Sequence, residues 1–126
     1  MKRFLGALSI LLVLLGISLV HAWVLQDLAD HLTANLSAAE VMAERGAWEQ
    51  ARVLTGQAAE QWQDSHSYLH MFLNHTDTDE ILVSFRAVEQ YLKLEEMDQY
   101  AAANLELITR IELLAEMEQP SFLNVF

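Results

Sequence analysis

Residues that break or cross-link helices are scarce in this sequence. It has no cysteine, which excludes disulfides, thiolate metal sites and thiol nucleophiles together. It has one proline, Pro120, and four glycines in 126 residues, a composition that favours long helices. Runs of alternating β-branched residues between turn pairs are also missing, so no segment is predicted to be a strand. Length and composition together indicate one all-α domain.

Basic residues are also few in this sequence. The chain carries 7 basic and 18 acidic residues, a formal net charge of −11. Because Lys2 and Arg3 precede the first apolar run, the chain after Ala22 keeps five basic residues and all 18 acidic ones, a charge of −13. Such a body repels nucleic acid and anionic lipid surfaces, and we expect no nucleic-acid partner. A solvated acidic surface explains this charge, and recruitment of a basic partner is the alternative.

The N-terminal segment is long and apolar. Residues 4–20 contain no charged side chain, and the run extends through Trp23 to Leu25. The 22 residues from Phe4 to Leu25 form ~33 Å of helix, which matches a hydrocarbon core of ~30 Å. Trp23 stands where an interfacial aromatic residue is expected, and the basic start places the N-terminus in the cytoplasm. We therefore predict a single-pass membrane anchor over residues 1–25, with the rest of the chain outside the cytoplasm.

A cleaved signal peptide is the alternative interpretation of the same segment. A basic start, an apolar core and Val20-His21-Ala22 resemble the small-residue pattern of a cleavage site. The helical periodicity nevertheless continues through that site. Its apolar positions are Leu25, Leu28, Leu32, Leu36 and Ala39. One continuous helix from the membrane into the domain explains this periodicity better, and the mass of the mature N-terminus would distinguish the two.

Apolar residues spaced three and four apart predict four amphipathic helices. The first ends near Arg45, before Gly46 as its C-terminal cap. The second begins near Trp48, and its stripe is Trp48, Ala51, Thr55, Ala58, Trp62, Ser65, Leu69 and Phe72. The third begins at the capping and acidic residues 76–80 and buries Ile81, Phe85, Val88 and Leu92. The fourth follows a turn at residues 94–98, ends before Pro120 and buries Ala101, Leu105, Ile108, Ile111 and Ala115.

Short links between such helices predict an up-down-up-down four-helix bundle that is continuous with the anchor helix. We assign residues 26–118 to this extracytoplasmic bundle and residues 119–126 to an apolar C-terminal tail. In that topology the turn at His75 and the tail both lie near the bilayer. Phe122, Val125 and Phe126 are therefore candidate contacts to the membrane or to a partner, and a flap over the base of the bundle is the simpler role for the tail.

The densest polar cluster combines histidines with acids: His66, His70, His75, Asp77, Asp79 and Glu80. His66 and His70 are four residues apart on a helix, so both side chains can reach one ion, and His75 can join from the adjacent turn. Such ligands suit zinc, nickel or copper. Surface histidines beside a helix start explain the same residues without a metal, because His66 and His70 flank the apolar stripe.

Catalytic motifs are missing from the sequence. It contains no Glu-x-x-His, His-Glu-x-x-His or Gly-x-Ser-x-Gly motif and no phosphate-binding Gly-x-x-x-x-Gly-Lys loop. We therefore expect that the protein is not an enzyme and needs no cofactor.

Several short motifs together resemble one known family. They are the single N-terminal membrane segment, Trp48 with Ala51, Trp62, the run His75-Thr76-Asp77-Thr78-Asp79-Glu80-Ile81, and the closing Glu118 with Asn124-Val125-Phe126. On these features the chain resembles a family of short, uncharacterised proteins of spore-forming Gram-positive bacteria, a domain of unknown function. The resemblance covers nearly the whole chain and implies a membrane-tethered helical domain. It implies no activity, ligand or catalytic residue.

The sequence thus favours a non-enzymatic, membrane-anchored helical bundle that binds another envelope protein or associates with itself. A metal-binding or sensing module built on His66, His70 and His75 is the first alternative. A small enzyme with an unfamiliar site ranks last. Crosslinking in native membranes and metal analysis of the purified protein would separate the three classes.

Overall fold

Four α-helices make up the chain where its structure is described. The computed structural model describes residues 1–65 and 75–117, without the side chain of His75. The helices are α1 (Lys2–Glu44), α2 (Trp48–Asp64), α3 (His75–Leu94) and α4 (Met97–Met117). These two ranges contain no strand, and the predicted all-α fold is confirmed.

The link between α1 and α2 is a Schellman motif, as the glycine suggested. Gly46 has φ of +80°, in the left-handed region that glycine adopts without a Cβ penalty. Its N–H donates to the carbonyl oxygen of Ala43 over 2.9 Å, and the N–H of Ala47 donates to that of Met42 over 2.8 Å. These bonds satisfy the last carbonyls of α1 and reverse the chain, so that α2 begins at Trp48.

The link between α3 and α4 repeats that motif without a glycine. Glu95 takes the left-handed position, with φ of 54°. Its N–H donates to the carbonyl oxygen of Leu92 over 3.2 Å, and the N–H of Glu96 donates to that of Tyr91 over 3.1 Å. A short, capped reversal therefore occurs where the sequence offered only weak turn chemistry.

Contacts between the helices establish an antiparallel bundle. Arg52 near the start of α2 donates to the carbonyl oxygen of Leu92 near the end of α3. Glu80 near the start of α3 pairs with Arg110 near the end of α4. Within the described ranges the backbones of α1 and α3 each lie beside those of α2 and α4, whereas the backbones of the diagonal pairs are farther apart. The predicted up-down-up-down four-helix bundle is therefore confirmed.

The apolar stripes of α1 and α3 and the described part of the α2 stripe form the core as predicted, while Leu69 and Phe72 of the α2 stripe lie outside the described residues. Their buried residues include Leu25, Leu32, Leu36, Ala39, Ala51, Ala58, Trp62, Ile81, Phe85, Val88 and Leu92. Ala39 and Ala43 of α1, together with Ala51 and Ala58 of α2, are small and fully or almost fully buried. Small side chains on neighbouring helices allow close approach of the two backbones.

The stripe predicted for α4 is confirmed at Ile111 and Ala115 and is wrong at its first three positions. Leu105 is 64% exposed, and Ala101 and Ile108 are only half-buried. The residues that α4 buries are Tyr100, Asn104, Leu107, Ile111, Leu114 and Ala115. Two polar residues, Tyr100 and Asn104, therefore occupy core positions that a count of apolar side chains assigns to their neighbours.

The first half of α1 projects beyond the bundle. Every residue from 1 to 20 is exposed, and burial begins at Ala22 and Leu25. The end of α2, at residues 61–65, lies beside residues 24–28 of α1, which marks the base of the bundle. The exposed half of the helix is ~30 Å long. Among the described helices, α1 is the one that is long and apolar enough to cross a membrane.

Candidate functional site

The residues singled out from the sequence fall largely outside the described ranges. His66 and His70 lie there, and His75 is the first residue of α3 with its side chain undescribed. Phe122, Val125 and Phe126 lie outside as well. In the described parts of the chain no three potential metal ligands come together. The histidine metal site and the contact role of the tail therefore stay predictions.

The exposed half of α1 is the largest apolar surface that the structure describes. Its side chains are exposed on every face of the helix, among them Phe4, Leu5, Ile10, Leu11, Leu12, Val13, Leu14, Ile17 and Val20. A helix that is apolar all round requires an apolar environment on all sides, such as a bilayer or the interior of a large protein. Trp23, 69% exposed, lies where this apolar surface meets the base of the bundle.

A second feature is a group of buried polar side chains in the core. Thr55 of α2 and Tyr100 and Asn104 of α4 are all 0% exposed. The Asn104 amide donates from Nδ2 to the carbonyl oxygen of Leu36 over 3.1 Å and to Glu40 Oε1 over 3.4 Å. Among the described residues, no partner at full hydrogen-bond geometry meets its own Oδ1 or the hydroxyls of Thr55 and Tyr100. The bonds of Asn104 fix α4 against α1. The buried oxygen atoms without a partner reduce the stability of the fold, because they have lost their hydrogen bonds to water.

Tyr100 is the most perturbed group of this core. Burial raises the pKa of its hydroxyl well above the usual value, and the negative charges of Glu40 and Glu44 raise it further. The neighbouring Thr55 hydroxyl acts in the opposite direction. The ring of Trp48 meets that of Tyr100 edge to face, with centroids 6.3 Å apart and an interplanar angle of 68°. Tyr100 is therefore held neutral and in one position.

Arg110 organises the surface between α3 and α4. Its Nη1 donates to Glu80 Oε2 over 2.8 Å and its Nη2 to Glu106 Oε1 over 2.9 Å. The hydrogen bond to Glu106 is the largest cause that raises the pKa of Arg110, and the charges of both acids act in the same direction. The guanidinium is therefore charged and bound to two carboxylates at once. Arg110 and Val83 both line a groove of about 410 Å³ between the two helices.

Sequence comparison assigns the chain to one family. Residues 19–125 match a family described as a domain of unknown function, DUF4363. The match leaves out only the first 18 residues and the last one, so it includes the whole bundle. No curated protein and no solved structure matches the chain. The resemblance to a domain of unknown function is confirmed, and the fold carries no activity over from a known structure.

Proposed function

We propose a function from one premise: this chain belongs to the DUF4363 family, a domain of unknown function. The protein is a membrane-tethered, non-enzymatic interaction module of the cell envelope. Its N-terminus lies in the cytoplasm, α1 crosses the membrane once, and the acidic bundle stands outside. As the resemblance of its short motifs implies, its source is a spore-forming Gram-positive bacterium.

The exposed apolar half of α1 is the observation that supports this proposal. Every side chain over residues 4–20 is exposed, and the segment contains no charge. Soluble monomers rarely expose contiguous apolar patches above a few hundred Å². The apolar area exposed by seventeen helical residues, on all faces of the helix, exceeds that limit. A bilayer accommodates the same surface without this cost. The 17 charge-free residues form ~26 Å of helix, close to the ~30 Å hydrocarbon core of a membrane.

Charge supports the orientation of the module. Lys2 and Arg3 flank the apolar run on one side, and the positive-inside rule places that side in the cytoplasm. The body carries a formal charge of −13 and is repelled by anionic headgroups, so it stands away from the bilayer surface. An interaction role is the function that such a tethered, motif-free bundle can perform through its surface.

Cysteine labelling tests the tether and its direction, because the natural chain has no competing thiol. In Ser9→Cys the thiol lies in the projecting half of α1, and in Gln57→Cys it lies at an exposed position of α2. A membrane-impermeant maleimide added to intact cells should modify Gln57→Cys and spare Ser9→Cys until the membrane is dissolved. Both variants should remain in the membrane fraction after carbonate extraction.

Three results would contradict the tether. One is a Gln57→Cys thiol that reacts only after the cells are opened, which would place the body in the cytoplasm. A mature chain that begins at Trp23 would identify a cleaved signal peptide instead. Recovery of the intact chain in the soluble fraction would show that its apolar half is covered by protein.

The interaction role needs its own measurement. Crosslinking in native membranes, followed by mass determination of the product, should yield a complex with another envelope protein or with a second copy. A chain that is found alone, monomeric and free of metal would contradict the role, even if the tether holds.

A further inference from the structure

A groove on the outer surface of the bundle runs between α3 and α4. Its volume is about 410 Å³, and Val83, Ala87 and Ala103 provide its apolar lining. Val83 is 66% exposed, far more than an aliphatic residue that serves the core of this bundle. The groove therefore presents apolar area that none of the described helices covers.

The polar lining of the groove carries an excess of negative charge. Asp79, Glu80 and Glu106 contribute three acids, and Arg110 contributes the one base, so the formal charge is −2. The base is not available to a ligand, because Glu80 and Glu106 already bind it at 2.8 and 2.9 Å. Asp79 has no cationic partner in the part of the chain that the structure describes. An apolar surface beside an unpaired carboxylate is complementary to a cation next to an apolar group.

We propose that this groove binds a basic amphipathic segment of a partner protein. An aliphatic side chain of the partner would lie against Val83, Ala87 and Ala103, and a lysine or arginine would pair with Asp79. The inference rests on the interaction role proposed above and names the chemistry of its partner. It does not depend on the membrane tether.

Charge argues against the other occupants of the groove. A second copy would bring a body of charge −13 against an acidic groove. The tail of this chain, residues 119–126, contains no basic residue. Anionic lipid headgroups carry the same sign as the groove. A basic segment is the occupant for which both the apolar and the charged parts of the lining are complementary.

Peptide binding to the full-length protein tests the inference. The protein is embedded in nanodiscs of phosphatidylcholine, and the probe is a fluorescein-labelled 14-residue helical peptide of leucine and lysine. A peptide of the same pattern with glutamate in place of lysine is the control probe, and binding to empty nanodiscs is subtracted. We expect saturable binding of the lysine peptide that weakens as salt is raised, and no binding of the glutamate peptide. Equal binding of both peptides would overturn the inference.

Matched variants locate the binding site. Asp79→Asn and Val83→Ser should each weaken lysine-peptide binding roughly fivefold, the loss typical of one charge pair or one aliphatic contact. Glu60→Gln and Val53→Ser make the same changes at exposed positions of α2, and should leave the affinity unchanged. Thermal unfolding confirms that each variant is folded. Equal losses for groove and control variants would mean that the net charge of the body attracts the peptide without a site.

The same groove can be tested for its rival occupants through introduced thiols. On oxidation, Val83→Cys should stay monomeric, since a disulfide-linked dimer would identify a second copy as the occupant. In the double variant Val83→Cys with Phe126→Cys, an intramolecular disulfide would identify the tail instead. Either disulfide would overturn the basic-partner inference. Extraction and labelling of Gln57→Cys report on the tether separately, so the two proposals can fail independently.

Discussion

The side-chain amide of Asn104 in α4 donates to the main-chain carbonyl oxygen of Leu36 in α1, 3.1 Å away and 68 positions earlier in the chain. Both residues are 0% exposed. Apolar contacts are non-directional and permit helices to slide or rotate, whereas this bond is satisfied in one register only. It therefore ties the last helix of the bundle to the helix that projects from it.

Replacing that amide by a carboxylate should destabilise the bundle strongly. Asn104→Asp removes the donor to Leu36 and places a negative charge in the core beside Glu40, whose Oε1 lies 3.4 Å from Nδ2 of the natural residue. We expect a loss of about 3–5 kcal/mol in the free energy of unfolding at pH 7, as for an uncompensated buried charge. Chemical denaturation monitored by circular dichroism measures it.

The same change at a less buried site is the control for Asn104→Asp. Asn35 of α1 is half-buried, and Asn35→Asp should change the free energy of unfolding by less than about 1 kcal/mol. The deficit of Asn104→Asp should also shrink as the pH falls from 7 to about 4, because burial raises the pKa of the new carboxyl and its protonated form is neutral and can donate again. A deficit of equal size in both variants would mean that the buried amide fixes nothing.

Tyr100 should make the bundle sensitive to alkali. Burial raises the pKa of its hydroxyl above the value of about 10 that it has in the unfolded chain. The folded protein therefore keeps a proton that the unfolded chain loses, and stability is complete below pH 10 and falls as the pH rises further. One retained proton contributes a slope of about 1.4 kcal/mol per pH unit.

Tyr100→Phe isolates that contribution. It removes a buried hydroxyl that makes no hydrogen bond of full geometry among the described residues, so stability at pH 7 should stay within about 1 kcal/mol of the natural protein. Above pH 10 the variant should lose stability less steeply, by the slope of one proton. Denaturant titrations between pH 8 and 12 compare the two chains, and identical slopes would show that Tyr100 ionises freely in the folded state.

The two Schellman motifs should respond oppositely to glycine and alanine. Glu95→Gly relieves a side chain from the left-handed region and should stabilise the bundle by about 1 kcal/mol, less a little for the contact of Arg52 to Glu95 at 3.7 Å. Gly46→Ala forces a Cβ into that region and should destabilise by about 1–2 kcal/mol. Gly56→Ala, inside α2, is the control and should stabilise slightly. Thermal unfolding orders the three variants.

Arg52 should contribute more to stability than its exposure suggests. Its Nη1 donates over 3.0 Å to the carbonyl oxygen of Leu92, near the negative end of the α3 dipole, and joins α2 to α3. Arg52→Met keeps most of the aliphatic stem and should cost about 1–2 kcal/mol, the net value of a hydrogen bond from a charged donor. The exposed Arg86 is the comparison, since Arg86→Met should cost less than about 0.5 kcal/mol. Similar losses of stability in both variants would show that the hydrogen bond from Arg52 to Leu92 contributes little.

Sequence periodicity predicted the fold well because three of the four stripes are purely apolar or small. Ile81, Phe85, Val88 and Leu92 are buried at the predicted spacing, and α2 begins at Trp48 as expected. The same method failed in the first half of α4, where Asn104 counts as polar and shifts the expected stripe onto Leu105. A helical shift of one residue turns the face by 100°, so one buried amide is sufficient to misplace the first half of the stripe.

Some residues that are conspicuous in the sequence lie outside the described ranges. Other residues, which the fold brings together, are inconspicuous in the sequence. His66 and His70 stood out because histidines four residues apart are visible in one dimension. Val83 and Ala103 did not, and Asp79 was noted only as a neighbour of the histidines, since a groove exists only once α3 and α4 lie side by side. Glu80 and Arg110 are 30 positions apart, and their contact at 2.8 Å depends on the antiparallel direction of those helices.

By itself, the sequence determined that the chain is helical, that its first helix is apolar on every face, and that its body is acidic, because these properties depend on composition and local spacing. Only the tertiary structure decided which polar side chains enter the core and which apolar ones stay outside. That choice depends on partners distant in the chain: the carbonyl oxygen of Leu36 allows Asn104 to be buried, and Leu105 is turned towards solvent as a consequence.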